Sequence, residues 1–124
     1  MHILLVDDKK DILDTMGEIL EVCHNHTVQG APSGKEALKW FRKKKYDLVV
    51  IDLGLPVMNG LEVITKMRKI NTKTTIVVLT GIPCDDTIRE KLKNLDVHQI
   101  FSKPKGIQEL LLYVKKLASK ISAA

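Results

Sequence analysis

Five short apolar runs, each followed by a longer amphipathic stretch, restrict what this chain can fold into more than any other feature. The runs are Ile3-Leu4-Leu5-Val6, His26-Thr27-Val28, Leu48-Val49-Val50-Ile51, Thr75-Ile76-Val77-Val78-Leu79 and Val97-His98-Gln99-Ile100-Phe101. The first, third and fourth are almost continuously apolar and rich in β-branched residues, the pattern of parallel strands covered by helices on both faces. The second is short and polar and reads as an edge strand. The segments between them carry helix signals. Ser33-Gly34-Lys35-Glu36 matches a capping box, and Asp85 or Asp86 can cap a fourth helix. Ile107, Leu110, Leu111, Val114, Leu117 and Ile121 form one apolar stripe on a last helix, as Ile12, Met16, Ile19, Leu20 and Cys23 do on a first. Five strands alternating with five helices predict a doubly wound α/β fold with right-handed crossovers. No linker or repeat interrupts the pattern, so residues 1–124 read as a single domain.

Composition narrows the function classes. The chain has a formal net charge of +5, but its basic residues are dispersed as Lys9-Lys10, Arg42-Lys43-Lys44-Lys45 and Lys115-Lys116. No helix-turn-helix or zinc-finger spacing accompanies them, and with 4% aromatic residues there are few platforms for stacked bases. Direct nucleic-acid binding is therefore not expected. No apolar run approaches the length of a membrane span, and no secretory leader is visible, so a cytoplasmic protein without membrane association is expected. Cys23 and Cys84 are too few for a disulfide framework and read as thiols. Cys23, His24 and His26 lie close in sequence, but three candidate ligands with no fourth nearby make a weak metal signal. Cys23 reads as core and the histidines as loop surface. Trp40 and Phe41 read as core and rim packing of the second helix.

In doubly wound folds function gathers beyond the carboxyl ends of the strands. There the sequence places Asp7 and Asp8 after the first strand, Asp52 after the third, Thr80 at the end of the fourth and Lys103-Pro104 after the fifth. The four central strand ends thus carry polar groups that converge on one crevice. Singly each is weak, since Asp7 and Asp8 could simply cap the first helix. Together, three crowded carboxylates repel and resist ionising. A hard divalent cation relieves that repulsion, and Mg²⁺ is held in such places by one or two carboxylates plus a phosphate. Lys103 and Thr80 add an ammonium and a hydroxyl, the parts for holding a transferring phosphoryl group.

The acidic pair, the Asp-x-x-x-Pro-x-x-x-Gly stretch from Asp52 through Pro56 to Gly60, Thr80-Gly81 and Lys103-Pro104 resemble the response-regulator receiver domain of two-component signalling, over the whole chain. The resemblance implies a flavodoxin-like sheet of five parallel strands in order 2-1-3-4-5 and a signalling domain with no turnover substrate of its own. It implies that Asp52 takes a phosphoryl group from phosphohistidine, that Asp8, Asp52 and the Gly54 carbonyl ligate Mg²⁺, and that Asp7 acts mainly through a bound water. Thr80 and Lys103 would contact phosphoryl oxygens, and the Lys103–Pro104 bond would be cis. The implied partners are a sensor histidine kinase or histidine phosphotransfer protein, docking near Leu13 and the Lys103–Ile107 loop, together with a downstream target or output domain.

Departures from the family's pattern also carry information. Gly54 has no side chain to position or block a water near the acceptor, so phosphate lifetime is not legible. It also argues against an aspartyl-nucleophile phosphohydrolase, which needs a second aspartate at that position. A receiver used only for protein contact is disfavoured by the intact set Asp7, Asp8, Asp52, Thr80 and Lys103. Lys105 stands where the family often has an aromatic. Ile100 stands where an aromatic switch residue is usual, with Phe101 on the opposite face and expected in the core.

Overall fold

Parallel pairing, strand by strand, builds the sheet that the apolar runs predict. The strands are β1 (His2–Val6), β2 (Thr27–Ala31), β3 (Leu48–Ile51), β4 (Thr75–Thr80) and β5 (Ile100–Ser102), in spatial order β2-β1-β3-β4-β5. The helices are α1 (Lys10–Glu18), α2 (Gly34–Lys43), α3 (Gly60–Ile70), α4 (Asp86–Asn94) and α5 (Gly106–Ala123). A π-helical stretch, Ile19–Cys23, continues α1. The structure, a computed structural model, describes residues 1–123 without the side chains of Cys23 and Ala123, so the expected core placement of Cys23 lies outside the described residues.

Alternation along the strands divides the core in two. Leu4, Val6, Val49, Ile51, Ile76 and Val78 face Leu38 and Phe41 of α2, Val63, Ile64 and Met67 of α3, and Leu92 of α4. Ile3, Leu5, Leu48, Val50, Val77 and Leu79 face Met16 and Leu20 on the other side, with Leu110 and Val114 of α5. Every residue of β3 is buried, as a central strand with helices on both faces requires. Phe101 is buried with the second group, its ring 5.8 Å from that of Tyr113, whereas Ile100 packs with the first. Adjacent strand residues point to opposite faces, so Phe101 is a core residue as expected.

The structure moves several boundaries. β2 begins at Thr27 and runs on to Ala31, because Gln29, Gly30 and Ala31 pair with Leu4, Leu5 and Val6. β5 is shorter than the apolar run: Val97 is buried, but its N–H is bonded to the Leu92 carbonyl, and the first bond to β4 is the Val78 N–H to the Gln99 carbonyl. β5 also closes one edge of the sheet, so only three of the four polar strand ends are central. Ile121 is 44% exposed, and the α5 stripe stops short of it. At 1.5 Å per residue the 18-residue helix is about 27 Å long and outruns the sheet beneath it. Trp40 is partly buried and Phe41 buried, matching the packing roles expected of them.

Caps follow the side chains available. Ser33 accepts the Glu36 N–H at 3.2 Å, Asn59 the Glu62 N–H at 3.0 Å, and Asp85, not Asp86, the Ile88 N–H at 2.9 Å. Helix α1 starts from Lys9, whose own side chain caps nothing, and Asp7 accepts the Lys9 N–H just ahead of the helix.

One position is strained. Val57, in the β3–α3 connection, is fully exposed at φ 66°. The left-handed region costs a residue with a Cβ roughly 1–2 kcal/mol, and β-branching makes it a true outlier. Asparagine tolerates this region without glycine's entropy cost. Val57→Asn is therefore expected to raise the free energy of unfolding by about 1 kcal/mol, a value that urea denaturation checks.

Candidate functional site

The sheet's own hydrogen bonds aim the polar residues. The ladder continues past the strand ends: Asp7 N–H donates to the Ala31 carbonyl at 3.1 Å, Asp52 N–H to Val6 at 3.0 Å and Lys103 N–H to Thr80 at 2.9 Å. Asp7 and Asp52 therefore stand side by side at the junction of β1 and β3, where the strand order reverses. Gly60 seals this floor. A Cβ there would lie 2.4 Å from the Asp52 carbonyl oxygen and 2.7 Å from Leu53 Cα, so only glycine lets α3 begin against the backbone of the loop after β3.

The side chains converge on Asp52, which is 4% exposed. Its Oδ1 accepts the Thr80 hydroxyl at 2.6 Å and the Gly54 N–H at 3.0 Å. Its Oδ2 faces Lys103 Nζ at 3.1 Å, and the same ammonium lies 2.5 Å from Asp7 Oδ2. Asp7 is 2% exposed, and its other oxygen accepts the Lys9 N–H at 2.9 Å. Asp8 is exposed at the mouth of the crevice, and carboxylate oxygens of Asp7, Asp8 and Asp52 all lie within 4.8 Å of one another. All five singled-out side chains thus meet in one place. The Lys103–Pro104 peptide bond is cis.

Electrostatics correct one expectation. Crowding alone would make these carboxyls resist ionising, and burial does push the Asp52 carboxyl upward. The donors from Gly54, Thr80 and Lys103 outweigh burial and hold it below the ordinary aspartate range. Burial likewise works to lower the Lys103 ammonium, but its bonds to Asp7 and Asp52 outweigh that and raise it. An ion pair thus already supports the site from one side. Three carboxylates against one ammonium still leave two negative charges, the complement of a divalent cation. The donors facing the open side are hard oxygens, as Mg²⁺ requires.

Ile82 escaped the sequence reading. A Cβ on Gly54 would stand 3.0 Å from Ile82 Cδ1 and 3.7 Å from Asp52 Oδ1, so the Ile82 side chain borders the space that glycine leaves beside the Asp52 carboxylate. Its N–H donates to Thr80 Oγ1 at 3.2 Å. Nothing local in the sequence marks it beyond its place two residues after Thr80. The expected histidine loop is present, with His26 Nδ1 3.0 Å from the Met1 amine and the His24 ring stacked 6.4 Å away. Among the described residues, the potential metal-holding group of three or more His, Cys, Asp or Glu is Asp7, Asp8 and Asp52. No described helix is long and apolar enough to cross a membrane.

Comparison with known proteins agrees with this geometry. The family described as the response regulator receiver domain matches residues 3–115. Sporulation initiation phosphotransferase F of Bacillus subtilis is 33% identical over 114 residues, covering 92% of this chain and 90% of that protein. The uncharacterized transcriptional regulatory protein YkoG of the same organism is 33% identical over 116 residues, covering 92% of this chain but 49% of its own length. A CheY-like response regulator receiver domain protein from Methanospirillum hungatei superposes with a TM-score of 0.88 at 27% identity, covering 99% of this chain and 98% of that one. The receiver domain of an HD domain-containing protein from Pseudomonas fluorescens gives 0.86 at 29% identity, covering 99% and 98%. This chain belongs to the response-regulator receiver family of two-component signalling, and its fold is the CheY-like one.

The ion pair yields a pH prediction. Lys103 is raised in the folded state, so its contribution to stability is fully present below the unfolded lysine value near 10.5 and is lost as pH climbs through the folded one. Lys103→Met should therefore be less stable than the wild type at neutral pH, and the gap should shrink as the solution is made alkaline. Urea midpoints of both proteins from pH 7 to 11 measure it.

Proposed function

We propose that residues 1–124 form one receiver domain that accepts a phosphoryl group from phosphohistidine on Asp52 and changes its partner contacts as a result. The observation that carries this reading is the convergence of Thr80, Gly54 and Lys103 on one buried carboxylate, with Asp7 and Asp8 alongside. The partner's phosphohistidine loses its P–N bond as a carboxylate oxygen of Asp52 forms the P–O bond, and the imidazole leaves with the electron pair. Asp52 is already ionised at neutral pH, because its carboxyl is held low, so no general base has to be recruited. Asp8, Asp52 and the Gly54 carbonyl would hold Mg²⁺ directly, with Asp7 acting through a water. Bound there, the ion supplies positive charge to the phosphoryl oxygens.

Lys103 and Thr80 act on the same oxygens. Each now bonds Asp52, and each can donate a hydrogen bond to a phosphoryl oxygen once the carboxylate is phosphorylated. Because Ile82 N–H is tied to Thr80 Oγ1, an inward move of that hydroxyl pulls the β4–α4 loop with it. Helix α4 contributes one fully buried residue, Leu92, to the core and so resists such a pull weakly. With Ile100 in place of an aromatic and Phe101 locked in the core, this loop and helix carry the response. The phosphodonor, a sensor histidine kinase or histidine phosphotransfer protein, would dock over α1 around the half-buried Leu13 and over the loop from Lys103 to Ile107.

Two measurements test the reading. Saturating Mg²⁺, at about 100 times its dissociation constant, should stabilise the protein by roughly 2.7 kcal/mol relative to chelator, and Asp8→Asn should reduce the gain. A melting temperature indifferent to Mg²⁺ would remove the ion from the site. With acetyl phosphate and Mg²⁺, intact-mass spectrometry should show one phosphoryl group on the wild type and none on Asp52→Asn. Ile82→Ala should shorten the life of that phosphate several-fold, because it uncovers the space Gly54 leaves beside Asp52.

A further inference from the structure

The pole opposite the acidic crevice carries a cluster of exposed cations, with Asp47, which accepts the His2 N–H at 2.8 Å, the carboxylate beside them. Helix α2 ends at Lys43 and β3 starts at Leu48, while α3 ends at Ile70 and β4 starts at Thr75. Both connections therefore lie at the amino ends of the strands, away from Asp52. Arg42, Lys43, Lys44 and Lys45 are all exposed there, and so are Lys69 and Lys73 on the adjoining connection. Among the described residues Lys103 is the only lysine or arginine in a salt bridge, so none of these six is paired.

Helix geometry accounts for only part of the cluster. Arg42, Lys43 and Lys69 sit in last turns, where cations answer the exposed carbonyls. Lys44, Lys45 and Lys73 lie beyond the helices. Arg68 shows what a structural cation looks like in this region: it donates to the Leu95 and Thr74 carbonyls, each at 2.7 Å. The six exposed cations make no comparable bonds.

Arg42 to Lys45 line one side of a cleft of about 330 Å³ between the ends of α2 and α3, and Ile70, Asn71 and Thr74 line the other. Ile70 is 44% exposed at its edge. The cleft has room for a side chain or two, not for a duplex. Its aromatics, Phe41 and Tyr46, are buried and cannot stack on bases. The neighbouring Trp40 ring has Lys39 Nζ 5.9 Å and Lys43 Nζ 5.7 Å from its centroid. A single exposed apolar residue is too little to enter a bilayer.

We propose that this pole docks an acidic segment of a partner protein, whose carboxylates meet Arg42 to Lys45 while an apolar side chain seats against Ile70. The site lies at the far end of the sheet from Asp52, so it is open whether or not the crevice is engaged. It holds a partner by charge, while the crevice handles the phosphoryl group.

Fluorescence anisotropy with a labelled peptide of glutamates interrupted by leucines tests this on the whole chain at physiological salt. Reversing Lys43, Lys44 and Lys45 together to Glu should weaken binding by about tenfold, from several exposed charge pairs acting at once. A charge-matched control on α5, Lys115, Lys116 and Lys120 together to Glu, should change it less than about twofold. Changing the first three to Gln should give a smaller loss in the same direction without reversing charge, and melting curves confirm that each variant folds. Ile70→Ser should weaken the leucine-bearing peptide several-fold and leave an all-glutamate peptide unchanged. Equal losses in the two triple reversals, or indifference to Ile70→Ser, would reduce the effect to net charge and overturn the site. No binding by the wild type overturns it as well. Tighter binding of an oligothymidine of equal charge, or of phosphatidylglycerol vesicles, would reassign the surface to nucleic acid or membrane.

Discussion

Three carboxylates can share the end of a parallel sheet only if positive charge lies among them, and here the Lys103 ammonium supplies it. It lies between Asp7 and Asp52, reaching residues 96 and 51 positions away in sequence. Without it the buried pair would face each other across a poorly solvated crevice, and one would have to take up a proton. With it Asp52 stays a carboxylate. The same bond ties the β5–α5 loop to the centre of the sheet. Because β5 is only three residues long and lies at the edge, the loop gains an anchor that its short ladder cannot give.

The site's precision comes from backbone rather than from side-chain packing. Asp7, Asp52 and Lys103 each follow a strand end by one residue and each donates its N–H to the neighbouring strand, so the ladder holds their Cα positions. Gly60 lets α3 start directly on the backbone of Asp52 and Leu53, and Gly54 turns its N–H to the Asp52 carboxylate. These glycines explain a motif that side-chain chemistry alone would leave arbitrary. The spacing from Asp52 to Gly60 is the length of chain needed to leave a strand, pass Pro56 and Val57, and return beneath the strand end.

Charge is distributed unevenly along the sheet's long axis. The carboxyl ends of the strands gather acid, while the amino ends, between α2 and β3 and between α3 and β4, gather unpaired lysine and arginine. A domain with net charge +5 therefore keeps an acidic crevice at one pole. Lys9, Lys10 and Lys105 stand exposed at the crevice end as well, yet among the described residues Lys103 is the only lysine or arginine paired with Asp7 or Asp52.

By itself the sequence determined the parallel sheet, the faces of its strands and the identity of the polar residues at their ends. Those follow from local alternation, β-branching and capping, which act over a few residues. The Ser33 cap and the burial of Phe101 were legible for the same reason, and the fourth helix's cap was narrowed to Asp85 or Asp86. Tertiary structure alone decided the rest. It extended β2 to Ala31 by pairing it with β1, shortened β5 to three residues, and left Ile121 beyond the sheet. It reversed the expected reluctance of Asp52 to ionise, because the Thr80 hydroxyl and the Lys103 ammonium arrive from other segments to join the local Gly54 N–H. It brought Ile82 against the space beside Asp52, and it joined two basic connections into one pole. Each of these depends on distances between segments far apart in the chain, and no periodicity within a segment encodes them.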